Sequence, residues 1–285
     1  KFILSGPHKR MNNLVRAFKK DSNFSFNKDR FQNNYIVQFD QFGENVLKSI
    51  LRSNSNSRIL IGPLYNLEFD QKLTEYINLY PNIKKVVASD IAYKNAVYEM
   101  GHNIDKNNVV IFPSGVISKA ELERNKKNRS KEVDCLIYFK KRPHDHLNLI
   151  TSFLKEKDFT FNIFEYGKYS NVELKNTALK SKFGIFIGRP ETQGFAAQEL
   201  LACNLPLLVW DQKKNFYADK ELSGTTMSYW SDDCGLIFDY YDELESSFNK
   251  FTKKLDNFKP YKLIEKKLTY EVFKSNLIEA FNNFD

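Results

Sequence analysis

The sequence predicts an α/β protein made of two Rossmann-like, doubly wound domains. Three observations predict it. Short apolar runs alternate with amphipathic stretches along most of the 285 residues. Several runs stop at a glycine turn, as Phe2-Ile3-Leu4 does before Ser5-Gly6-Pro7. The series also restarts once, near residue 132, after a charged stretch without glycine. Strands and helices alternating at this length imply parallel sheets, with ligands outside the C-terminal strand ends. The chain is long enough for two domains that each bury a core.

In the first half, Leu14, Val15 and Phe18 mark one face of a helix after Gly6. Tyr35 to Phe39 reads as a strand, Glu44 to Leu51 as a helix, and Ile59 to Ile61 as a strand halted by Gly62-Pro63. Leu67 to Tyr80 reads as a helix and Val86 to Ala88 as a strand. Ser89-Asp90 caps the helix that runs to Met100, and Val109 to Phe112 closes the half. Ser118 to Lys131 suits an interdomain helix or linker.

The second half opens on the strand Val133 to Phe139, and Lys140-Lys141-Arg142 follows at once. Cations at the C-terminal end of a strand suit an anion such as a diphosphate, and the sequence leaves open which of the three points inward. His144-Asp145-His146 has metal-ligating types, but no further His, Cys or carboxylate pair completes a set, so it reads as a helix start after Pro143. Phe161 to Phe164 is a strand ending in Glu165-Tyr166-Gly167, and Asn171 to Ser181 is a helix.

The most informative stretch is Phe183 to Trp210, FGIFIGRPETQGFAAQELLACNLPLLVW. An apolar strand stops at Gly188. Glu191, Thr192, Gln193 and Gly194 are expected to form the first turn of a helix, which carries Glu199 and ends at Asn204-Leu205-Pro206. Leu207 to Val209 is then a buried strand. A helix N-terminus offers unpaired N–H groups to a phosphate. A carboxylate deeper in the helix, such as Glu199, can accept hydrogen bonds from two adjacent hydroxyls. A nucleotide sugar has those parts in that order.

Glu191-x7-Glu199, the glycine turn before it, and Ala202-Cys203-Asn204-Leu205-Pro206 after it resemble the C-terminal domain of retaining GT-B glycosyltransferases, the group 1 or family 4-like type. The passage Lys85 to Val116, closing on Pro113-Ser114-Gly115-Val116, resembles the end of that family's N-terminal domain. The resemblance implies two domains facing across a cleft. Residues 1–117 would be the acceptor side, 118–131 a linker, 132–255 the donor domain, and 256–285 helices that brace the N-terminal domain. It implies that Glu191, Thr192, Gln193, Gly194 and Phe195 line the sugar-diphosphate site, that Glu199 holds the ribose, and that Glu165 lies near the base. It also implies that a cation among Lys140, Lys141 and Arg142 meets the phosphates, with Glu191, Lys140 and Arg142 expected as the catalytic set. In retaining members the donor phosphate itself is thought to assist the acceptor's deprotonation. Two departures stand out: the family spaces its Arg and Lys apart, and the His that many retaining relatives carry after a middle strand is replaced here by Ile61-Gly62-Pro63-Leu64-Tyr65.

The expected activity is therefore transfer of a sugar from a UDP- or GDP-linked donor to a glycan or lipid-linked acceptor, with retention and without metal or other cofactor. A GT-B-like nucleotide-binding or scaffold protein without turnover is the alternative, with sugar epimerases and phosphorylases behind it. An inverting enzyme would need a base, for which His8 and Asp40 are best placed. The adjacent Asp232-Asp233 does not form an Asp-x-Asp metal motif and suits a turn cap. The net charge of +8 fits an anionic substrate or peripheral attachment to anionic membrane. Nucleic acid is not expected, because no recognition motif accompanies the charge. Cys135, Cys203 and Cys234 are odd in number and lie in or beside apolar segments, so buried thiols and a cytoplasmic location are expected. Residues 1–5 read as an apolar strand, with no signal peptide expected. Beyond Asp211, Thr225 to Tyr229 and Gly235 to Phe238 read as strands, and Tyr241 to Leu255 and Thr269 to Phe284 as helices.

Overall fold

The computed structural model describes residues 6–21, 24, 34–37, 43–62, 74–95, 101, 103–217 and 220–284. The expected strand at 2–4, the position of Asp40 and the segment 63–65 lie outside the described residues, as does the side chain of His8. The chain divides into two compact units. One comprises residues 7–115 with 270–285, and the other comprises residues 1–6 with 116–269.

In the first unit, β1 (Asn34–Val37), β2 (Arg58–Ile61), β3 (Ile83–Val87) and β4 (Val109–Ile111) form an all-parallel sheet in chain order. Its strands are mostly apolar, with Lys84 and Lys85 in β3 among the exceptions, and both faces of the sheet are covered. Against one face, Val37, Ile59, Ile61 and Ile83 pack on Leu47 and Ile50 of the helix α2 (Gly43–Ser53) and on Ile77. Against the other, Leu60, Val86 and Phe112 pack on Leu14 and Phe18 of α1 (Gly6–Phe18). Residues 74–79 are helical. The short helix α3 (Asp90–Lys94) starts where the Ser89 side chain accepts from the Ala92 N–H.

The second unit begins with α4 (Lys119–Lys127), capped by Ser118. This segment, expected as a linker, buries Leu122 and Asn125, and the Asn125 amide donates to the Ala202 carbonyl. A five-stranded parallel sheet follows, in the order β11-β8-β7-β5-β6. Its strands are β5 (Val133–Phe139), β6 (Phe161–Glu165), β7 (Ser181–Ile187), β8 (Leu207–Trp210) and β11 (Gly235–Phe238). Between them run α5 (His144–Glu156), α6 (Asn171–Lys180), α7 (Phe195–Ala202) and α8 (Leu244–Lys253). Period-two alternation divides the strand side chains. Cys135, Ile137, Phe139, Phe183, Ile185 and Ile187 face α5 and α8, against Ile150, Leu154, Phe248 and Phe251. Leu136, Tyr138, Phe186, Leu207 and Val209 face α6 and α7, against Leu174, Ala178, Leu200 and Leu201. Gly184 is required on that second face, since a Cβ there would come within 2.7 Å of Leu207 Cδ2.

After β8 an antiparallel hairpin, β9 (Lys214–Tyr217) and β10 (Lys220–Ser223), interrupts the series. The sequence reading had no element there. Residues 225–229, expected as a strand, are irregular, and their hydrogen bonds go to side chains and loops. Helix α9 (Tyr261–Lys267) adds Leu263 and Ile264 to the core of this unit. The last helix, α10 (Tyr270–Asn282), belongs to the first unit, where Phe273, Leu277 and Phe281 join the cluster of Leu14 and Phe18. All three cysteines are free and buried. Among the described residues, no helix is long and apolar enough to cross a membrane.

Candidate functional site

The order β11-β8-β7-β5-β6 reverses direction between β5, the first strand of this sheet in the chain, and β7. In such a sheet the crevice at that reversal, outside the C-terminal strand ends, is where ligands bind. The backbone there is tight: the Lys140 N–H donates to Ile187 O at 2.8 Å, and the Tyr166 N–H to Phe139 O at 2.9 Å. The segments that leave β5, β6 and β7 therefore carry Lys140 to Arg142, Glu165-Tyr166 and Gly188 to Gly194 to neighbouring positions.

Lys141 has a positive φ of 51°, and this turn separates the three cations. The Lys140 ammonium forms an ion pair with the Glu191 carboxylate and lies over the Tyr166 ring, 4.6 Å from its centroid. Both partners are mostly covered, at 17% and 23% exposure, so solvent screens this pair less than a surface one. Lys141 lies over the same ring from 5.8 Å. Arg142 turns the other way. Its Nη1 donates to Gly188 O at 3.1 Å, its Nε and Nη2 approach His146 Nδ1 at 3.2 and 3.0 Å, and its guanidinium lies 5.1 Å from the Trp210 ring centroid. Burial draws the Arg142 pKa down from its usual value. Of the expected catalytic set, then, Lys140 and Glu191 touch each other, while Arg142 holds the Gly188 turn.

Glu191 to Gln193 lie outside the helix. Gly194 sits at φ 81°, ψ 53°, a left-handed position natural to glycine, and α7 begins only at Phe195. The expected helical first turn is thus a loop, because this conformation starts the helix at Phe195, four residues after Glu191. Glycine supplies no capping side chain, and the first-turn amides of α7 have no intrahelical acceptors. Gln193 is buried and donates to Gln198 Oε1 at 3.0 Å, and Gln198 returns a bond to Gln193 O at 2.6 Å. This pair fixes the loop to the helix. Thr192 is half-buried in the bend, and Phe195 is buried at the helix start.

Glu199 lies one turn further along, half-buried, and its charge acts on the Tyr138 and Tyr169 hydroxyls. Those two share a hydrogen bond of 3.1 Å. Burial, with the nearby carboxylates, pushes Tyr169 up to about 12 and Tyr138 higher still, so both stay protonated. Glu165, at the end of β6, pairs with Lys168 at 2.7 Å and stands 4.0 Å from His144.

The sequence reading missed the residue that organises this loop. Asp211, directly after β8, is buried, and its carboxylate accepts from the Thr226 N–H at 2.6 Å, the Gln212 N–H at 2.8 Å and the Thr225 hydroxyl at 3.0 Å. Lys213 pairs with it at 2.8 Å. Burial pushes the Asp211 carboxyl up, but Lys213 and the Thr226 bonds outweigh it and hold the group below the ordinary range. Thr225 O in turn accepts from the Glu191 N–H at 3.1 Å. Asp211 therefore sets the height of the loop that carries Glu191. No local signal could have shown this, since Thr225 and Thr226, which tie Asp211 to the loop, come from the far side of the hairpin. Among the described residues, no group of His, Cys, Asp or Glu gathers to hold a metal ion.

No protein-family model matches the sequence, and no curated protein matches it either. Solved structures do. The GtfA/B complex aligns with a TM-score of 0.51 at 10% identity, over 84% of this chain and 55% of that one. A mutant of S. aureus TarM, solved in complex with fondaparinux, alpha-GlcNAc-glycerol and UDP, aligns with a TM-score of 0.51 at 12% identity, over 95% of this chain and 59% of that one. The chain thus spans less than two thirds of either neighbour's length. At these identities the likeness carries the fold and not the activity: the chain shares the mixed α/β, parallel-sheet fold of these two structures.

Proposed function

We propose that this protein is a glycosyltransferase that binds a nucleotide-diphosphate sugar at the crevice between β5 and β7 and transfers its sugar, with retention and without metal, to a glycan or lipid-linked acceptor. The observation that supports this most is the meeting of Lys140 and Glu191 just before the N-terminus of α7, at the reversal point of the sheet. Glycosyl transfer builds negative charge on the leaving diphosphate. A largely covered ammonium and the positive end of a helix stabilise that charge more as it grows, which lowers the barrier and not only the ground state. Lys140 takes the diphosphate in exchange for Glu191, and Glu191, released, faces the sugar. Glu199 accepts from the ribose hydroxyls, and Glu165 and Tyr166 lie toward the base. Attachment to anionic membrane and a cytoplasmic site of action belong to the same proposal.

A thermal-shift series with UDP, GDP, CDP and inorganic pyrophosphate tests it, without added metal. One nucleoside diphosphate should raise the melting temperature, since a ligand at a hundred times its Kd stabilises the folded state by about 2.7 kcal/mol. The shift should shrink in Lys140→Ala, and Glu199→Ala should reduce the nucleotide's advantage over pyrophosphate. Millimolar ligand with no shift from any of the four would sink the proposal. Binding without release of free nucleotide from the corresponding sugar donor would favour a nucleotide-binding protein without turnover.

A further inference from the structure

We infer that His146 is a positioning residue for donor binding, and that its neutral imidazole holds the Arg142 guanidinium where a diphosphate can meet it; this rests on the donor reading above. The geometry is specific. His146 Nδ1 faces both Nε and Nη2 of Arg142, at 3.2 and 3.0 Å. An arginine has no acceptor, so both contacts require a lone pair on Nδ1 and therefore a neutral ring with its proton on Nε2. The opposite edge of the guanidinium donates to Gly188 O at 3.1 Å. Trp210 forms the floor beneath both side chains: the His146 ring stacks on it at 4.3 Å and 17°, and the Arg142 guanidinium lies 5.1 Å from its centroid.

Three groups from three segments thus fix the plane of the cation. His146 is on the first turn of α5, Gly188 follows β7, and Trp210 ends β8. The remaining guanidinium N–H groups have no partner among the described residues, and the Gly188 carbonyl ties the cation to the turn that leads to Glu191. A pre-positioned guanidinium gives directed bonds to a phosphate at a smaller entropy cost than a mobile one.

Protonation of His146 replaces the Nδ1 lone pair with an N–H and places a second positive charge against the guanidinium, which expels Arg142. The surrounding charges bear on this. Burial comes first in holding His146 below the ordinary histidine range, Arg142 adds to it, and Asp145 opposes it. Asp211 and Arg189 act on Arg142 from the ends of β8 and β7. Lys213 neutralises Asp211 and Asp239, the Trp210 indole donates to Asp239 O, and Tyr241 packs against Trp210. The ring is therefore neutral at pH 7, and the arrangement fails as pH falls below the usual histidine value of about 6.5.

The test measures the affinity of whichever nucleoside diphosphate stabilises wild type, by calorimetry from pH 5 to 8, in wild type, His146→Leu and His146→Asn. His146→Leu removes the acceptor and should weaken binding on the order of tenfold at pH 7.5, a loss of about 1.4 kcal/mol. His146→Asn keeps an acceptor near the Nδ1 position without titrating. It should bind within about threefold of wild type at pH 7.5 and lose less affinity on acidification. Protonation of the ligand is common to all three proteins and cancels from the ratio. Should His146→Leu fail to fold, the pH dependence of His146→Asn against wild type decides alone. Wild type binding the nucleotide with both variants matching it at every pH would overturn the role of His146 and leave the donor site standing. Wild type binding none would overturn the donor site and this inference together.

Discussion

Gly235→Ala is expected to lower the thermal unfolding midpoint by about 10 °C, corresponding to about 4 kcal/mol in a protein of this size. Two causes add. Gly235 has a φ of 140°, which L side chains rarely adopt, and a Cβ built there would stand 1.9 Å from Leu207 O and 2.9 Å from Leu207 N. Those are backbone atoms of the paired strand β8, in register with Gly235 itself, so no side-chain rotation relieves the overlap. Backbone strain contributes on the order of 1–3 kcal/mol and forced repacking a similar amount. Gly167→Ala is the control. Gly167 also has a positive φ, 92°, but nothing lies within 4 Å of its added Cβ. Only the conformational cost remains there, about 1 kcal/mol. Differential scanning calorimetry of both variants measures the two effects. Equal losses would mean that strain alone, and not the approach of β8 to β11, sets the requirement for glycine.

Asp211→Ala is expected to cost about 3 kcal/mol and to loosen the loop that carries Glu191. The carboxylate is almost wholly covered, at 1% side-chain exposure, whereas its ion-pair partner Lys213 is 57% exposed. The ion pair therefore contributes little, and the main loss is the acceptor for the buried Thr226 N–H and the Thr225 hydroxyl. Asp211→Asn keeps one acceptor oxygen but turns an NH2 group toward the same donors, so it should recover only part of the loss. The pH dependence follows from the sign of the shift. The folded-state carboxyl lies below its ordinary 3.8, so its contribution is present above that pH and disappears as the pH falls through the folded value. Urea unfolding of wild type and Asp211→Ala should thus give curves that differ at pH 7 and converge in acid. A constant difference across that range would show that Asp211 acts by filling space and not as a charged acceptor.

Much of the fold was legible because its strands are short apolar runs with abrupt ends. Ile59 to Ile61 and Phe183 to Ile187 stop at Gly62 and Gly188, and Val133 to Phe139 stops at three cations. What the pattern does not carry is the direction in which a polar side chain leaves a turn. Lys140, Lys141 and Arg142 are equivalent as letters, and a single left-handed residue at Lys141 sends Lys140 to Glu191 and Arg142 to Gly188. Glu191 read as helical because its neighbours are good first-turn residues, yet the φ of Gly194 ends the helix before reaching it. His146 was placed correctly in a helix start and still gave no sign of its role, since that role depends on Trp210, far away in the chain. Asp211 and Thr226 are of the same kind. They meet across the hairpin, and periodicity reports burial and not pairing.

The most direct test of the donor site is a crystal structure with the stabilising nucleoside diphosphate bound. The account predicts diphosphate oxygens within hydrogen-bond distance of the Lys140 ammonium and of the amides that open α7, with Glu191 displaced from Lys140 and the ribose hydroxyls on Glu199. A nucleotide bound elsewhere on the protein, with the Lys140–Glu191 pair intact, would contradict it.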